Sequence, residues 1–308
     1  MKLTHMRALI DCGTVGLFSR TTSKPASLIT FTHCYQTQAT PNRTNPKLNM
    51  ARILITGSSD GLGAIAAQKL VKNGHQVVLH ARNAQRAEDA KSAVPGAETV
   101  LVGDLTKIAE TKKLAEDANK LSTFDVVIHN AGLYRGPYRK TDLGLSSLTA
   151  VNVMAPYLLT CLMNKPKRII YVSSGMHRSG DATFKDPTWV ERGEAAWDQN
   201  QAYCDSKLHV STLANAVARL WPDVKSNSLD PGWVATKMGG QSAPGSADDG
   251  TATYVMLAEG TDGGNVSGKY FKPGKKEDVA EEFTRDIRRQ DQLLELWGNL
   301  TGVKLPVS

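Results

Sequence analysis

The sequence predicts an α/β fold in which helices cover both faces of a parallel sheet of about seven strands. From Met50 onwards, short apolar runs alternate with longer amphipathic runs, which is the pattern of strands separated by helices. The strand candidates are apolar on both faces, and strands of this kind belong to parallel sheets that are covered on both sides. No internal repeat of about 20 to 50 residues is visible, which excludes a solenoid or a propeller.

The individual elements follow from length and periodicity. Strands are predicted at Arg52–Thr56, Gln76–His80, Thr99–Val102, Asp125–His129, Arg168–Ser173, Val224–Leu229 and Lys269–Phe271. Helices are predicted at Leu62–Asn73, Gln85–Ala93, Lys107–Leu121, Leu145–Met163, Tyr203–Leu220 and Glu277–Leu300. The last of these helices is charged and amphipathic, and we expect it to close the domain.

The composition is that of a soluble globular protein. Of the 308 residues, 41% are hydrophobic and 22% are charged, and the mean hydropathy is -0.31. These values exclude a disordered or collagen-like chain, and no run approaches the roughly 18 to 20 apolar residues of a membrane span. The four cysteines form no CxxC pair, so no metal site is predicted.

Residues 1–49 differ from the rest of the chain. They are rich in Thr and Ser and hold six basic residues against one acid, which is +5 of the formal net charge of +7. Because this excess lies outside the predicted sheet, nucleic-acid binding is not expected. Three interpretations stay open: a mitochondrial transit peptide, a disordered tail, or a start codon assigned upstream of Met50. We therefore expect one domain over residues 50–308, in the cytoplasm or, through residues 1–49, in the mitochondrion.

A glycine cluster follows the first predicted strand. Its sequence, Thr56-Gly57-Ser58-Ser59-Asp60-Gly61-Leu62-Gly63, leads into a predicted helix. Glycines let the backbone turn tightly and approach a pyrophosphate, and a helix N-terminus offers free N–H groups and a partial positive charge. A glycine cluster alone often marks only a tight turn. Its position after the first strand of an alternating α/β pattern predicts a dinucleotide site.

The spacing Gly-x-x-x-Gly-x-Gly resembles that of the short-chain dehydrogenase/reductase family, standard-length branch, and further motifs follow in the family's order between Ala51 and Lys272. The resemblance implies a Rossmann-type sheet and a nicotinamide dinucleotide. The cofactor residues that it implies are Thr56, Gly57, Ser58, Ser59, Gly61, Leu62, Gly63, Arg82, Asp104, Leu105, Asn130, Ala131, Gly132, Tyr203, Lys207, Pro231, Gly232, Val234 and Thr236.

Several of these residues have a specific role in the family. Asp104 matches the position that holds the adenine ring, and Asn130-Ala131-Gly132 matches a motif that steadies the sheet beside the cofactor. Pro231-Gly232 matches the turn beside the nicotinamide, and Thr236 matches the hydroxyl that holds its carboxamide. The chain departs from the family at His129, where a second Asn is usual.

The second predicted strand indicates which dinucleotide is bound. An NAD site needs a carboxylate about 20 residues beyond the glycines to accept from the ribose 2′-OH. That position holds Arg82 and Asn83 and no acid. An arginine can pair with a 2′-phosphate, so NADP is predicted and NAD is less favoured. His80, Ser59 and Arg86 are candidates to share the phosphate, and a solvated loop cation is the alternative for Arg82.

Four residues match the family's catalytic set: Asn152, Ser174, Tyr203 and Lys207. Tyr203 and Lys207 are four apart on a predicted helix and therefore share one face. Ser174 ends the fifth strand, at the carboxyl edge where ligands of open α/β sheets bind. Ser173 is the rival for its role, and Ser174 is preferred because the second serine of such a pair is the family's catalytic one.

Carbonyl reduction explains these residue types, because it places a hydride on carbon and a proton on oxygen. A tyrosine that transfers protons near neutrality needs a pKa about two to three units below its usual value of 10. A neighbouring ammonium, here that of Lys207, favours the phenolate. The Ser174 hydroxyl would bind the substrate oxygen. By resemblance, Asn152 holds a water that relays protons to Lys207.

Two segments are candidates for substrate contact. The stretch from Ser174 to Tyr203 is longer than in the commonest family members. Its extra residues, Met176–Asn200, are expected to form an aromatic lid, with surface packing as the alternative; they include His177, Arg178, Phe184, Trp189 and Trp197. Retinol-dehydrogenase-like members are similar here. Residues Trp233–Gly260, rich in Gly, Ala and small polar residues, match the family's mobile substrate loop.

The resulting hypothesis is an NADP-dependent oxidoreductase that acts on a small-molecule carbonyl or alcohol. The alternative is a dinucleotide-binding sensor that keeps the fold but catalyses nothing. A longer-branch sugar-nucleotide epimerase is disfavoured by the glycine spacing. A homodimer or homotetramer is the candidate assembly, without nucleic acid or a transmembrane segment.

Overall fold

The computed structural model describes residues 50–307, so the predictions for residues 1–49 lie outside the described residues. Its centre is an eight-stranded sheet in the order β3-β2-β1-β4-β5-β6-β7-β8, with every pair parallel except β7 and β8. The strands are β1 (Arg52–Ile55), β2 (Gln76–Ala81), β3 (Thr99–Val102), β4 (Val126–His129), β5 (Arg168–Val172), β6 (Lys225–Leu229), β7 (Tyr270–Lys272) and β8 (Lys276–Asp278). The predicted fold class is therefore confirmed.

Helices connect the strands on both faces. They are α1 (Gly61–Lys72), α2 (Ala84–Ala93), α3 (Ile108–Leu121), α4 (Ser147–Thr149), α5 (Ala155–Leu162), α6 (Gln199–Leu220), α7 (Ala247–Glu259) and α8 (Ile287–Thr301). A π-helical turn, Ala150–Met154, joins α4 to α5. Within residues 50–307, no helix combines the length and hydropathy that crossing a membrane requires.

The core lies on both faces of the sheet, because successive strand side chains point to opposite sides. In β1, Ile53 and Ile55 pack in one cluster with residues of α1 and α7. Leu54, between them, packs in a second cluster with residues of α3 and α5. All three side chains are fully buried. A strand buried on both faces has to be apolar at every position, which is why its sequence predicted a covered parallel sheet.

The order of the strands places the site. Strand β1 pairs with β2 on one side and with β4 on the other, so the winding of the chain reverses beside β1. Ligands of open α/β sheets bind outside the carboxyl ends of the strands at such a reversal. The glycine cluster follows β1 and the Asn130 motif follows β4, at that edge.

Two predictions at the C-terminal side of the chain were wrong. Part of the expected loop Trp233–Gly260 is helix α7, in which a Cβ on Gly250 would lie 2.6 Å from the Pro231 carbonyl oxygen. Close packing therefore requires the glycine that made the segment look like a loop. The expected helix Glu277–Leu300 begins only after Asp286, whose side chain caps α8. Its first residues instead form β8, an eighth strand.

Candidate active site

The glycine cluster forms a tight turn between β1 and α1. Gly57 and Gly61 have φ values of 62° and 57°, in the left-handed region that favours glycine. A Cβ on Gly63 would lie 2.4 Å from the Asn130 side-chain nitrogen and 2.7 Å from the Gly57 carbonyl oxygen. The first and last glycines of the motif are therefore required by the protein's own packing.

The turn suits a dinucleotide. Helix α1 begins without a side-chain cap on its N–H groups and without an acidic residue in its first turn. Free N–H groups and the helix dipole favour an anion at this end. A Cβ on Gly61 would contact only Thr236, at 3.8 Å, so the space around the backbone of this glycine is otherwise open. These features fit the pyrophosphate of a nicotinamide dinucleotide.

Asn130 joins the glycine turn to β4. Its side-chain amide donates to the carbonyl oxygens of Thr56 and Gly57, both at 2.9 Å. The Thr56 hydroxyl accepts from the backbone N–H groups of Asn130 and Ala131, both at 3.0 Å. Tyr254 donates to the Asn130 side chain from α7. The motif thus braces the turn, as the resemblance implies.

The unusual residue of this motif, His129, points away from the turn. Its Nε2 lies 3.1 Å from the Thr160 hydroxyl, which in turn bonds to Tyr171, and its ring stacks on Tyr171. Burial lowers the pKa of His129 to about 3, so the imidazole is neutral. His129 therefore belongs to the core between β4, β5 and α5.

His80, a candidate for the cofactor phosphate, is buried instead. Its Nδ1 accepts from the Gly57 N–H at 3.0 Å, and its Nε2 lies 2.9 Å from the Gly103 carbonyl oxygen. Burial lowers the pKa of His80 to about 4. The neutral ring therefore positions the glycine turn from inside the protein and does not face a ligand. This corrects the expectation that His80 helps to bind the cofactor phosphate.

The two arginines near the turn differ. Arg82 is exposed and makes no hydrogen bond or ion pair with residues 50–307. Arg86 is half-buried and donates to the Ser59 hydroxyl at 2.9 Å and to the Asp60 carboxylate at 2.6 Å. It also pairs with Asp89 at 2.6 Å. Arg86 is thus fixed on the glycine turn and neutralised there, whereas the charge of Arg82 is free.

Three of the other predicted cofactor residues use their side chains inside the protein. Ser58 is buried and donates to the Ile55 carbonyl oxygen at 2.9 Å. Leu105 is 4% exposed and belongs to the core cluster of Leu54. One carboxylate oxygen of Asp104 accepts from the backbone and hydroxyl of Thr106. For Ser58 and Leu105, only the backbone remains available to a ligand.

The predicted catalytic serine and tyrosine lie together. Ser174 follows β5, and its side chain lies close enough to Tyr203, which is on α6 and 9% exposed, to lower the pKa of the phenol. Ser173, the rival, is 1% exposed and donates to the Lys207 carbonyl oxygen at 3.0 Å. Its oxygen also accepts from Ser211 at 2.7 Å. Ser173 therefore anchors α6 to β5, whereas the Ser174 hydroxyl accepts from the Met176 N–H at 3.2 Å beside Tyr203.

Lys207 and Asn152 both approach the last residue of the Asn130-Ala131-Gly132 motif. A Cβ on Gly132 would lie 3.5 Å from the Asn152 Oδ1 and 3.6 Å from the Lys207 Nζ. The ammonium donates to the Val172 carbonyl oxygen at 2.8 Å and lies 5.4 Å from the centre of the Tyr203 ring. Asn152 sits in the π-helical turn, a feature that is frequent at functional sites. The four predicted catalytic residues thus form one cluster.

The electrostatics of Tyr203 differ from the expectation. Burial raises the pKa of Tyr203 above its ordinary value, and the neighbouring Ser174 side chain offsets this increase only in part. The carboxylate of Asp230 raises the pKa further. Tyr203 is therefore a protonated phenol in this structure.

The Pro231-Gly232 turn leads into a segment that reaches the glycine turn. Gly232 has a φ of 81°, and the Val234 side chain is 5% exposed. Thr236 lies over the start of α1, and its hydroxyl accepts from the Gly239 N–H at 3.1 Å. Lys237 extends from the same segment to Asp60, at 3.0 Å.

The long segment after Ser174 is partly structural and partly next to the site. Phe184 packs on His209 and Phe283, away from Tyr203. Trp189 is 2% exposed and donates to Asp205 at 2.9 Å. Trp189 nonetheless shares a cluster with Tyr203, to which Met176 and Trp197 add partly buried side chains. The expected aromatic lid is therefore anchored on the body of the protein at most of its aromatic residues.

Three residues of this site escaped the sequence prediction. Tyr134 packs edge-on against Tyr203, with ring centres 4.5 Å apart. Asp205, two residues beyond Tyr203, accepts from Trp189, Gln201 and the backbone of Asp181. Asp230 follows β6 beside the two serines. The sequence held a signal for both aspartates: Asp205 is two residues from the predicted catalytic tyrosine, and Asp230 directly follows a predicted strand.

Comparison with known proteins agrees with this geometry. A family model described as short chain dehydrogenase matches residues 51–184. Short-chain dehydrogenase chry4 of Gibberella zeae is 49% identical over 257 residues, which is 83% of this chain and 99% of that protein. Retinol dehydrogenase 13 of Mus musculus is 30% identical over 254 residues, 71% of this chain and 74% of that protein.

A solved structure supports the same assignment. The crystal structure of an uncharacterized protein from Mycobacterium Paratuberculosis has a TM-score of 0.71 and 25% identity, covering 83% of this chain and 95% of that one. The chain belongs to the short-chain dehydrogenase family and is an oxidoreductase of that class.

Proposed function

We propose that the protein transfers a hydride between NADP(H) and a carbonyl or alcohol, with Ser174, Tyr203, Lys207 and Asn152 as its catalytic set. The observation that carries the proposal is the cluster itself: Ser174 beside Tyr203, with Lys207 and Asn152 meeting at Gly132. The name of the retinol dehydrogenase relatives also states an alcohol substrate.

When bound, the nicotinamide dinucleotide supplies or accepts the hydride. The Ser174 hydroxyl binds and orients the substrate oxygen. Tyr203, a protonated phenol, donates its proton to that oxygen as negative charge develops during reduction. Lys207 stabilises the tyrosinate that remains, and Asn152 holds the proton-relay position beside it. In alcohol oxidation the same proton moves in reverse.

The preference for NADP rests on the charges beside the glycine turn. Arg82 is a free cation at the end of β2, where an NAD site needs an acid. Arg86, fixed by Ser59 and Asp60, adds a second guanidinium, although its own carboxylate partners neutralise it. Arg82 is therefore the residue that we expect to pair with the 2′-phosphate.

The test is an NADPH-consumption screen of ketones, aldehydes and quinones with the wild type and Tyr203→Phe. This change removes the proton donor, so we expect at least a 100-fold loss of turnover with cofactor affinity retained. Tyr138→Phe is the matched control, because Tyr138 loses the same hydroxyl but packs on Trp197 instead of Tyr203. If Tyr203→Phe retains more than about a tenth of the rate, Tyr203 is not the donor. Cofactor binding without turnover of any substrate would favour the silent sensor.

A further inference from the structure

A carboxylate without a counter-ion lies at the edge of the catalytic cluster. Asp230 follows β6, which pairs with β5 so that Leu229 is opposite Val172. One Asp230 oxygen, Oδ1, accepts from the Gly232 N–H at 2.8 Å. The other, Oδ2, would lie 3.0 Å from a Cβ on Gly175, the residue after Ser174. Asp230 is half-buried and forms no ion pair with any residue from 50 to 307.

Lys207 is a cation in the same situation. It is 4% exposed, and its ammonium donates to a neutral acceptor, the Val172 carbonyl oxygen. Within the described part of the chain it has no ion-pair partner. Val172 is the strand neighbour of Leu229, and Asp230 is the next residue after Leu229. The two unpaired charges therefore lie at adjacent strand ends, although they do not touch.

Unpaired charges inside proteins are costly, and an opposite charge nearby reduces that cost even without contact. Burial lowers the pKa of Lys207 to about 8, and Asp230 is the charge that opposes this shift. The same carboxylate raises the pKa of Tyr203. Both effects keep a proton on the catalytic pair.

Other titratable groups also face Asp230. They are His177 from the turn after β5, Tyr254 from α7 and Tyr270 from β7. Burial lowers the pKa of His177 and raises that of both tyrosines, so all three are neutral near pH 7. Arg178 and Asp278, which also act on Tyr270, form an ion pair with each other at 2.8 Å. Lys207 is thus the cation on which the Asp230 charge acts.

We propose that Asp230 is the counter-charge of Lys207, and that it keeps Lys207 and Tyr203 protonated near neutral pH and so favours carbonyl reduction over alcohol oxidation. The directional part rests on the proposed function. Asp230 touches neither reacting atom; it acts through Lys207 as a positioning residue. Removing its charge lets the pair lose its first proton at lower pH, whichever of the two residues releases it.

The direct test is an NMR titration of Lys207 in protein labelled with carbon-13 at the lysine Cε, assigned with Lys207→Arg. In Asp230→Asn, whose amide oxygen can still accept from Gly232, we expect the Lys207 midpoint to fall by about one pH unit. Asp223→Asn is the matched control, because Asp223 precedes the same strand at its opposite end and is exposed. It should leave the midpoint unchanged. Asp230→Ser replaces Asp230→Asn if the latter is insoluble.

Activity gives the second readout. In Asp230→Asn, the pH above which carbonyl reduction declines should fall with the Lys207 midpoint, and the ratio of reduction to oxidation rates near pH 7.5 should fall with it. An unmoved Lys207 midpoint, or an equal shift in Asp223→Asn, overturns the proposal. If the midpoint shifts as expected but the wild type turns over no carbonyl or alcohol, the counter-charge stands and the proposed function fails.

Discussion

The cofactor end and the substrate end of this protein are built in different ways. At the cofactor end, the Asn130 and His80 side chains hydrogen-bond the backbone of the glycine turn, and short contacts leave no room for side chains on the turn itself, as at Gly63. At the substrate end, the segment Met176–Asn200 is held by side chains, above all by the Asp205 carboxylate. The first region therefore depends on glycines whose backbone is bonded by side chains from other strands, and the second depends on a buried carboxylate that binds side chains and backbone of the segment.

The comparison extends to a buried histidine in each region. His80, under the glycine turn, accepts from the Gly57 N–H. His209, on α6 against Phe184 of the long segment, has no hydrogen-bond partner on either ring nitrogen among the described residues. The same residue type therefore positions the backbone at one end and only fills space at the other.

The largest effect is expected from Asp205→Ala at the substrate end. The change leaves Arg192 and the Trp189 indole without their shared acceptor. Arg192 keeps its second carboxylate partner, Asp186, at 3.2 Å. The Trp189 indole and the Asp181 N–H lose their acceptor, and each buried donor left unpaired costs about 1 to 3 kcal/mol in the free energy of unfolding. Urea unfolding measures this loss. Asp223→Ala, which removes an exposed carboxylate near Lys165, should cost less than about 1 kcal/mol. Equal losses in the two variants would contradict the anchoring role of Asp205.

Acid should act on both ends through the two histidines. Burial lowers the pKa of His80 and of His209 to about 4, below the value of about 6.5 in the unfolded chain. The unfolded state therefore binds more protons below pH 6.5, and stability falls as the pH drops from about 6.5 to about 4. Each histidine contributes roughly 3 kcal/mol to this loss.

His209→Leu and His80→Leu separate the two ends near pH 7.5. His209→Leu breaks no hydrogen bond, so we expect a change within about 1 kcal/mol and a shallower decline in acid. His80→Leu leaves the Gly57 N–H unpaired, at a cost of about 1 to 3 kcal/mol, and should weaken cofactor binding. Urea unfolding across pH and cofactor titration measure both. A fully retained acid decline in His209→Leu would show that His209 does not titrate as described.

A change of cofactor preference is expected from Arg82→Asp, at the rim of the cofactor end. The new carboxylate repels a 2′-phosphate and can accept from the 2′-OH of NAD. A charge-assisted arginine pair contributes about 1.5 to 3 kcal/mol, so the preference should move toward NAD by roughly 10- to 150-fold. The measurement is kcat/KM with both cofactors, and Lys72→Asp at the far end of α1 controls for the change of charge. A wild type that prefers NAD, or an unchanged ratio in Arg82→Asp, would contradict the proposed role of Arg82.

The sequence by itself determined the alternating sheet, the glycine turn and the order of the Ser, Tyr, Lys and Asn motifs. These features depend on local physics: strands buried on both faces must be apolar, and left-handed turns favour glycine. At α7 the local pattern gave a wrong prediction, because Gly250, which packing against Pro231 requires, was interpreted as part of a loop.

Only the tertiary structure decided which charges meet. Arg82 and Arg86 are four residues apart in the sequence, yet one is free and the other is fixed by Ser59 and Asp60 across the glycine turn. From the sequence, His80 was a candidate ligand of the cofactor phosphate, whereas in the structure it supports the glycine turn. Asp230 and Lys207 become neighbours only through the pairing of β5 with β6. Charges act through space at distances that no sequence period encodes, so their partners follow from packing alone.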